Sequence, residues 1–295
     1  MKIGTLALEV ISSHTEGEIV AVISHSALIR FGDFSITLAQ GKLALPLGIV
    51  VPFLPGKDWM RDWVGKAVIY TGSQLMIERG IWTVDLSTAQ VWDSNSRFDK
   101  IQVNLETGRE ALAWAMEYIR NGIKPRQRNR ALVPWSNLWA ADCEGEIWDS
   151  LRSASALLRR GLLNRDKQLT CQATMHLIGA GPGLTPSGDD FLIGLLLALR
   201  LADPCEQSSL DHIRQSLCAL VDAVAPATTN IHARSYLYAA CRGQAAEVVT
   251  DAIHGVMTMG KGGKSSLRKL LSFGGSSGWD TLAGICVGLE AIYFA

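Results

Sequence analysis

The sequence predicts an α+β fold: a β-rich domain over residues 1–103, an antiparallel sheet or small barrel, followed by a mainly α-helical domain over residues 104–295. Two observations carry this expectation. Short runs of β-branched and aromatic residues, closed off by Gly, Pro or Ser, recur through the first third of the chain. Near residue 104 the apolar period lengthens to that of a helix, and later segments keep it.

In order along the chain, GDFSITLAQG alternates Phe34, Ile36 and Leu38 with Ser35, Thr37 and Ala39, the two-residue period of a half-buried strand. LGIVVPF, KAVIYTG, QLMIERG and IWTVDLS follow as further strands, with DWMRDWVG as a helical interruption. LETGREALAWAMEYIRNG then sets Leu112, Ala115, Met116 and Ile119 on one helical face and stops at Asn121-Gly122, a C-terminal helix signal. The basic KPRQRNR stretch reads as a solvated loop. From about Glu146 helices dominate: IWDSLRSASALLRRGLL, the segment after Ser187, HIRQSLCALVDAV, ARSYLYAACRG, AAEVVTDAIHGVM and the segment after Ser277.

Composition excludes some classes of function. The 295 residues carry 28 Lys+Arg against 28 Asp+Glu, so no basic excess points to nucleic acid or an anionic membrane. The longest apolar run, Phe191 to Leu199, is far short of the ~20 residues of a membrane span. No h-region long enough for a signal peptide precedes Ser12, Ser13 and Glu16. Cys143, Cys171, Cys205, Cys218, Cys241 and Cys286 form no CxxC pair and no metal-type spacing, and read as reduced core residues. A cytoplasmic location is the expectation.

The stretch GAGPGLTPSGDDFLIG, Gly179 to Gly194, is the most informative. Its glycines and two prolines rigidify a turn that feeds an apolar helix, which core packing alone does not require. Ser187-Gly188-Asp189-Asp190-Phe191-Leu192-Ile193-Gly194 is echoed by Ser277-Gly278-Trp279-Asp280-Thr281-Leu282-Ala283-Gly284. In both, a small residue recurs four positions on, Gly194 to Ala198 and Gly284 to Gly288, which lets another backbone approach that face. The expected geometry is two buried helices packed through their glycines, with their leading loops on the same side.

Ser187 with Asp190, and Ser277 with Asp280, fit the capping-box spacing, which would account for these four residues without any ligand. Capping leaves Gly179, Gly181, Pro182, Gly183, Thr185, Pro186 and Asp189 unexplained. Two chemistries fit them. The loop N–H groups and helix N-terminus would bind a phosphate or carboxylate, with Thr185 and Ser187 as further donors. Alternatively, Asp189 and Asp190 would hold Mg²⁺, the candidate cofactor, although adjacent helical residues point about 100° apart and seldom reach one ion. Asp189 in an apolar setting is a candidate general base. His232, near a helix start, joins Asp189 and Asp190 as a catalytic candidate. Gly181, Gly183, Thr185, Ser187, Ser277 and Asp280 are the ligand-binding candidates.

Two other motifs fail on spacing. Gly179-Ala180-Gly181 has Leu184 where a dinucleotide fingerprint needs glycine. Gly255 to Lys261 matches GxxxxGK, but Gly262 follows where a Walker A loop needs Ser or Thr, so KGGK reads as an inter-helix loop.

Three segments, GPGLTPSGDDFLIG at 181–194, TTNIHARSYLYAACRG at 228–243 and LLSFGGSSGWDTLAG at 270–284, together resemble the bacterial DUF2877 family, in the family's order. The resemblance covers roughly residues 170–290; the N-terminal region agrees only around LALPLGIVVP. One branch of that family is regarded as a subunit of oxamate carbamoyltransferase, which exchanges carbamoyl between oxalurate and phosphate in purine and allantoin catabolism. The resemblance implies a site formed by Gly181, Gly183, Thr185, Ser187, Asp189, Asp190, Ser277 and Asp280. It also implies partner subunits and a small anionic metabolite such as phosphate, carbamoyl phosphate or an oxamate-like acid. His232 and Arg234 stand where that branch is expected to carry smaller polar or apolar residues. A non-catalytic scaffold or regulatory subunit of a multi-subunit enzyme is the alternative.

Overall fold

The computed structural model describes residues 1–98, 105–122, 146–202, 207–259 and 262–294. The KPRQRNR stretch, Cys143, Cys205 and Gly260-Lys261 lie outside these residues. The fold is α+β, with N-terminal strands in a sheet curled into half a barrel and a mainly helical C-terminal region. Two compact units divide it: Met1–Ser94 with Gln244–Glu247, and Asn95–Gly243 with Val248–Ala295.

The first unit is built on β1 (Lys2–Gly4), β2 (Glu16–Ile23), β3 (Ser26–Phe31), β4 (Phe34–Gln40), β5 (Gly48–Val51), β6 (Ala67–Tyr70), β7 (Gln74–Ile77), β8 (Trp82–Asp85) and β9 (Gln90–Trp92). The sheet order is β8-β7-β6-β2-β3-β4-β5-β1-β9. Hairpin-connected neighbours pair antiparallel, whereas β4–β5 and β1–β9 pair parallel, so the sheet is mixed. All five segments expected as strands are strands, and DWMRDWVG holds α2 (Lys57–Arg61). The expectation of strands throughout misses α1 (Thr5–Ser13), whose Leu6, Ala7, Val10 and Ile11 bury one face at helical spacing. In β4, Ser35 and Thr37 are buried along with Ile36 and Leu38, so both faces of this strand are covered.

A late stretch of chain completes this unit. The Ser94 hydroxyl donates to Gln244 Oε1 at 2.9 Å and accepts from Ala245 N–H at 2.9 Å. Gln244 Nε2 donates to Asp93 Oδ1 at 2.8 Å. Glu247 Oε2 accepts from Lys2 Nζ at 2.9 Å and from Ala44 N–H at 3.0 Å. Ser94 is fully buried, so these bonds satisfy groups that would otherwise be desolvated alone.

The second unit contains α3 (Asn95–Phe98), α4 (Leu105–Gly122), α5 (Glu146–Leu163), α6 (Lys167–Met175), α7 (Ser187–Leu199), α8 (Ser208–Thr228), α9 (Ile231–Cys241), α10 (Glu247–Thr258), α11 (Gly263–Leu271) and α12 (Ser277–Tyr293). Its centre is the pair α7 and α12, the most extensively packed helices of the chain. Both are buried around almost their whole circumference. Each buried leucine on them contributes about 2 kcal/mol of hydrophobic stabilisation.

The glycine spacing does what its sequence pattern predicts. A Cβ added at Gly194 would lie 2.0 Å from Thr281 O, and one at Gly284 would lie 1.9 Å from Phe191 O. The contacts are reciprocal, since Phe191 and Thr281 occupy equivalent positions in the echo. The repeat also includes the entry to each helix. Gly188 N–H donates to Ala180 O at 2.9 Å, and Gly278 N–H donates to Phe273 O at 3.1 Å. Seven residues lie between Ala180 and Gly188 but four between Phe273 and Gly278, so the first loop is three residues longer.

Candidate functional site

The longer loop, residues 179–186, sits where helix α7 begins. Gly179, Gly181 and Gly183 take φ of +75°, +116° and +102°, in the left-handed region that glycine alone adopts without strain. Space beside Gly183 is open within 4 Å, whereas a Cβ at Gly181 would lie 2.8 Å from Ser187 N. The loop tip, Pro182 to Leu184, is exposed, Thr185 is half-buried, and Pro186 to Asp190 are buried. The chain therefore dives from solvent into the core within a few residues.

Three tethers fix this loop. Asp189, fully buried, accepts from Gly179 N–H at 2.8 Å through Oδ1 and from the Thr229 hydroxyl at 2.5 Å through Oδ2. Asn230 Nδ2 donates to Leu184 O at 2.8 Å, while its Oδ1 caps α9 by accepting from His232 N–H at 3.0 Å and Ala233 N–H at 3.1 Å. The Thr185 and Ser277 hydroxyls share a hydrogen bond of 2.9 Å. Through these bonds the N-termini of α7, α9 and α12 are all joined to the one loop.

The capping expectation is not met. Pro186 is the N-cap of α7 and Ser276 that of α12, and neither helix start has a side-chain cap bond. Ser187 and Ser277 sit one position inside their helices, Ser187 buried and Ser277 half-buried. Asp190 and Asp280 are 5% and 0% exposed. Burial raises Asp190 to about 8, opposed by hydrogen bonding from Ser277 and Thr185 and reinforced by the charges of Asp280 and Asp189. Its Oδ2 is buried without a hydrogen-bond partner. Burial also raises Asp189, to about 6, against the Thr229 and Gly179 hydrogen bonds.

The geometry separates the two adjacent acids. Each oxygen of Asp189 accepts a hydrogen bond that ties the loop or the start of α9 to α7. Asp190 faces the other way, toward the Thr185–Ser277 pair and Asp280. His232 lies on the first turn of α9, its ring 5.0 Å from that of Tyr236 in an edge-on arrangement. Burial lowers its pKa to about 4, so the imidazole is neutral at physiological pH. Among the described residues, no group of three or more His, Cys, Asp or Glu side chains converges as a metal site.

Sequence reasoning passed over Thr229 and Asn230, although both lie in TTNIHARSYL. Asn before an apolar helical run was the signal for the cap; the bonds to Asp189 and Leu184 span 40 and 46 residues and had none. It also passed over GGSSG at 274–278, which has the G-x-S-x-G form of a nucleophile elbow. Helix α11 precedes it where the elbow needs a strand, so the required strand–turn–helix context is missing.

Residues 177–289 match the family model described as oxamate carbamoyltransferase subunit AllH. No solved structure matches the chain. No helix among the described residues is long and apolar enough to cross a membrane.

Proposed function

We propose, starting from that match, that the chain is a subunit of a carbamoyl-transferring enzyme and holds a small anionic metabolite at the loop of residues 179–186. The metabolite class is phosphate, carbamoyl phosphate or an oxamate-like acid. The observation that carries this reading is the extent of the match: residues 177–289 include both glycine-rich loops and the helices they introduce. The hydrogen bond between Thr185 and Ser277 supports treating the two loops as one site.

The physical chemistry agrees. Three helix N-termini near one loop favour negative charge, and glycines with positive φ let N–H groups reach a ligand without side-chain obstruction. Asp190, raised to about 8, is neutral at pH 7 and donates a hydrogen bond instead of repelling an anion. Transfer of carbamoyl from its phosphate to an amide nitrogen builds negative charge on the carbamoyl oxygen, which fixed N–H and hydroxyl donors stabilise. In this reading Gly181, Gly183, Thr185, Ser187 and Ser277 bind the ligand, Asp190 and Asp280 line its inner end, and Asp189 holds the loop. His232, with a pKa of about 4, is too weak a base to abstract a proton and serves as a neutral hydrogen-bonding group.

Calorimetric titration of the full chain with phosphate, carbamoyl phosphate and oxamate, singly and in pairs, tests the reading. We expect saturable binding of at least one, weakened about 5–10-fold in Ser277→Ala through loss of one hydrogen bond. Absence of binding by all three, with Mg²⁺ present and absent, would overturn it.

A further inference from the structure

Helices α8 and α9 pack against each other and are joined by the residue pair Thr229-Asn230. Cys218 stands eleven positions before Thr229, and Cys241 stands eleven positions after Asn230. With the same rise per residue in both helices, equal distances from the turn bring the two cysteines level with each other. The contact is made: the Cys218 thiol donates to the carbonyl oxygen of Cys241 itself at 3.9 Å. The two thiols also share a hydrogen bond. Neither is the core residue that the sequence suggests. Both are partly exposed, whereas Cys286 is buried.

The charges around the pair are unequal in their effect. Arg214 lies four residues before Cys218, one turn away on the same helix face, and Arg242 directly follows Cys241. Arg214 is paired with Asp211 at 2.8 Å, and the Arg242 guanidinium lies 3.6 Å over the Tyr238 ring. Hydrogen bonding from Cys241, helped by the charges of Arg214 and Arg242, holds the Cys218 thiol below its ordinary pKa, against burial and the Asp222 carboxylate. The Cys241 thiol is pushed up, first by its hydrogen bond to Cys218 and then by burial. One thiol ionises readily while the other waits beside it with its proton, the arrangement of an oxidisable cysteine with a resolving partner. Cys171 on α6 is partly exposed as well, but burial pushes its thiol up.

We propose that Cys218 and Cys241 are a thiol modification site, at which hydrogen peroxide oxidises Cys218 and Cys241 resolves the product into a disulfide between α8 and α9. In the first step the Cys218 thiolate attacks one peroxide oxygen. The O–O bond breaks, and hydroxide leaves and takes up a proton as water, so that Cys218 becomes a sulfenic acid. In the second step the Cys241 sulfur attacks the Cys218 sulfur. The S–S bond forms and the S–O bond breaks, and the departing hydroxide takes the Cys241 proton as a second water. Two thiols lose two hydrogens and two electrons, and one peroxide is reduced to two waters. The bond pins the end of α9 to the middle of α8, across the turn whose Thr229 and Asn230 side chains hold Asp189 and Leu184. The proposal does not depend on the anion reading, since it requires no metabolite.

The test treats the reduced full chain with one equivalent of hydrogen peroxide, alkylates the remaining thiols and maps tryptic peptides without reductant. Cleavage after Arg214, Arg234 and Arg242 places Cys218 in peptide 215–234 and Cys241 in peptide 235–242, one cysteine in each. The expected result is a single species two hydrogens lighter than the sum of the two peptides, lost on treatment with dithiothreitol. Cys171 stays alkylated in the same digest. In Cys241→Ser the sulfenic acid has no resolving thiol, so dimedone labels Cys218. The oxidised chain also melts about 5–10 °C above the reduced one, because the bond closes a loop of the unfolded chain. Because the main result is read on the unaltered chain, a variant that fails to fold does not obscure it. Separate, fully alkylated peptides after peroxide treatment overturn the proposal, and so does oxidation of Cys171 to the same extent. Dimedone on Cys241 of the Cys218→Ser chain, with none on Cys218 of the Cys241→Ser chain, overturns the assignment of the attacking thiol.

Discussion

Gly284→Ala probes the seam on which the site depends. The new methyl would lie 1.9 Å from Phe191 O, 2.9 Å from Phe191 C and 2.8 Å from Leu195 N, all backbone atoms of α7. Ordinary contact needs at least 3 Å, so the two helices must separate by about 1 Å. No rotamer change relieves the clash, because no side chain is involved. Overpacking of this kind costs about 3 kcal/mol, against which the gain of about 0.5–1 kcal/mol from replacing a mid-helix glycine is small. For a unit of this size the melting temperature should fall by about 6–12 °C. Scanning calorimetry of the parent and variant measures this. Gly275→Ala, which meets nothing within 4 Å, serves as the control and should shift the melting point little. Gly194→Ala should cost a similar amount, and the double variant less than the sum, because one methyl already parts the helices. An unchanged melting temperature in Gly284→Ala would refute close backbone packing as the basis of the seam.

Other outcomes follow from single side chains. His232 is held neutral by burial, at about 4 against an unfolded value of 6.5. Its contribution is therefore fully present above pH 6.5 and lost as pH falls toward 4, where the unfolded chain binds the extra proton. Urea unfolding at pH 7 and pH 5 should show a loss of about 1–2 kcal/mol that His232→Gln removes; parallel losses in both proteins would refute it. Thr229→Val deletes the hydroxyl that donates to Asp189 at 2.5 Å and should cost about 1.5–3 kcal/mol in chemical denaturation, with faster hydrogen exchange at Gly179. Protection at Gly179 equal to the parent's would contradict the tether. Arg159 Nε donates to Glu290 Oε2 at 2.6 Å, and its Nη2 donates to Oε1. With both side chains partly exposed, a double-mutant cycle through Arg159→Met and Glu290→Gln should return a coupling of about 1 kcal/mol.

What the sequence disclosed was governed by period and spacing. The strands from Phe34 onward and the helices after Glu146 announce themselves through local apolar patterns, and the glycine spacing identifies α7 and α12 as a packed pair before any coordinate is known. The parallel β4–β5 and β1–β9 pairings were hidden, because no local pattern encodes which distant strand lies alongside. Asp189 and Asp190 look interchangeable in a string of letters. Their difference arises because neighbouring helical residues point apart, one toward Thr229 and the other toward α12. A signal for that was present: Asp190, not Asp189, stands one helical turn before the packing glycine.

The latch formed by residues 244–247 bears on how the protein is made. Ser94 meets Gln244 across 150 residues of chain, and Lys2 meets Glu247 across 245. At a translation rate of about 5–20 residues per second, the strands leave the ribosome roughly 8–50 s before their last partners do. During that interval the Ser94 hydroxyl, the Ala44 N–H and the Lys2 ammonium lack the partners that residues 244–247 supply. A chain cut short at residue 243 would lose these contacts from a unit whose own strands were all intact. The unit that holds the strands is thus completed only by residues that follow Ser94 by 150 positions or more.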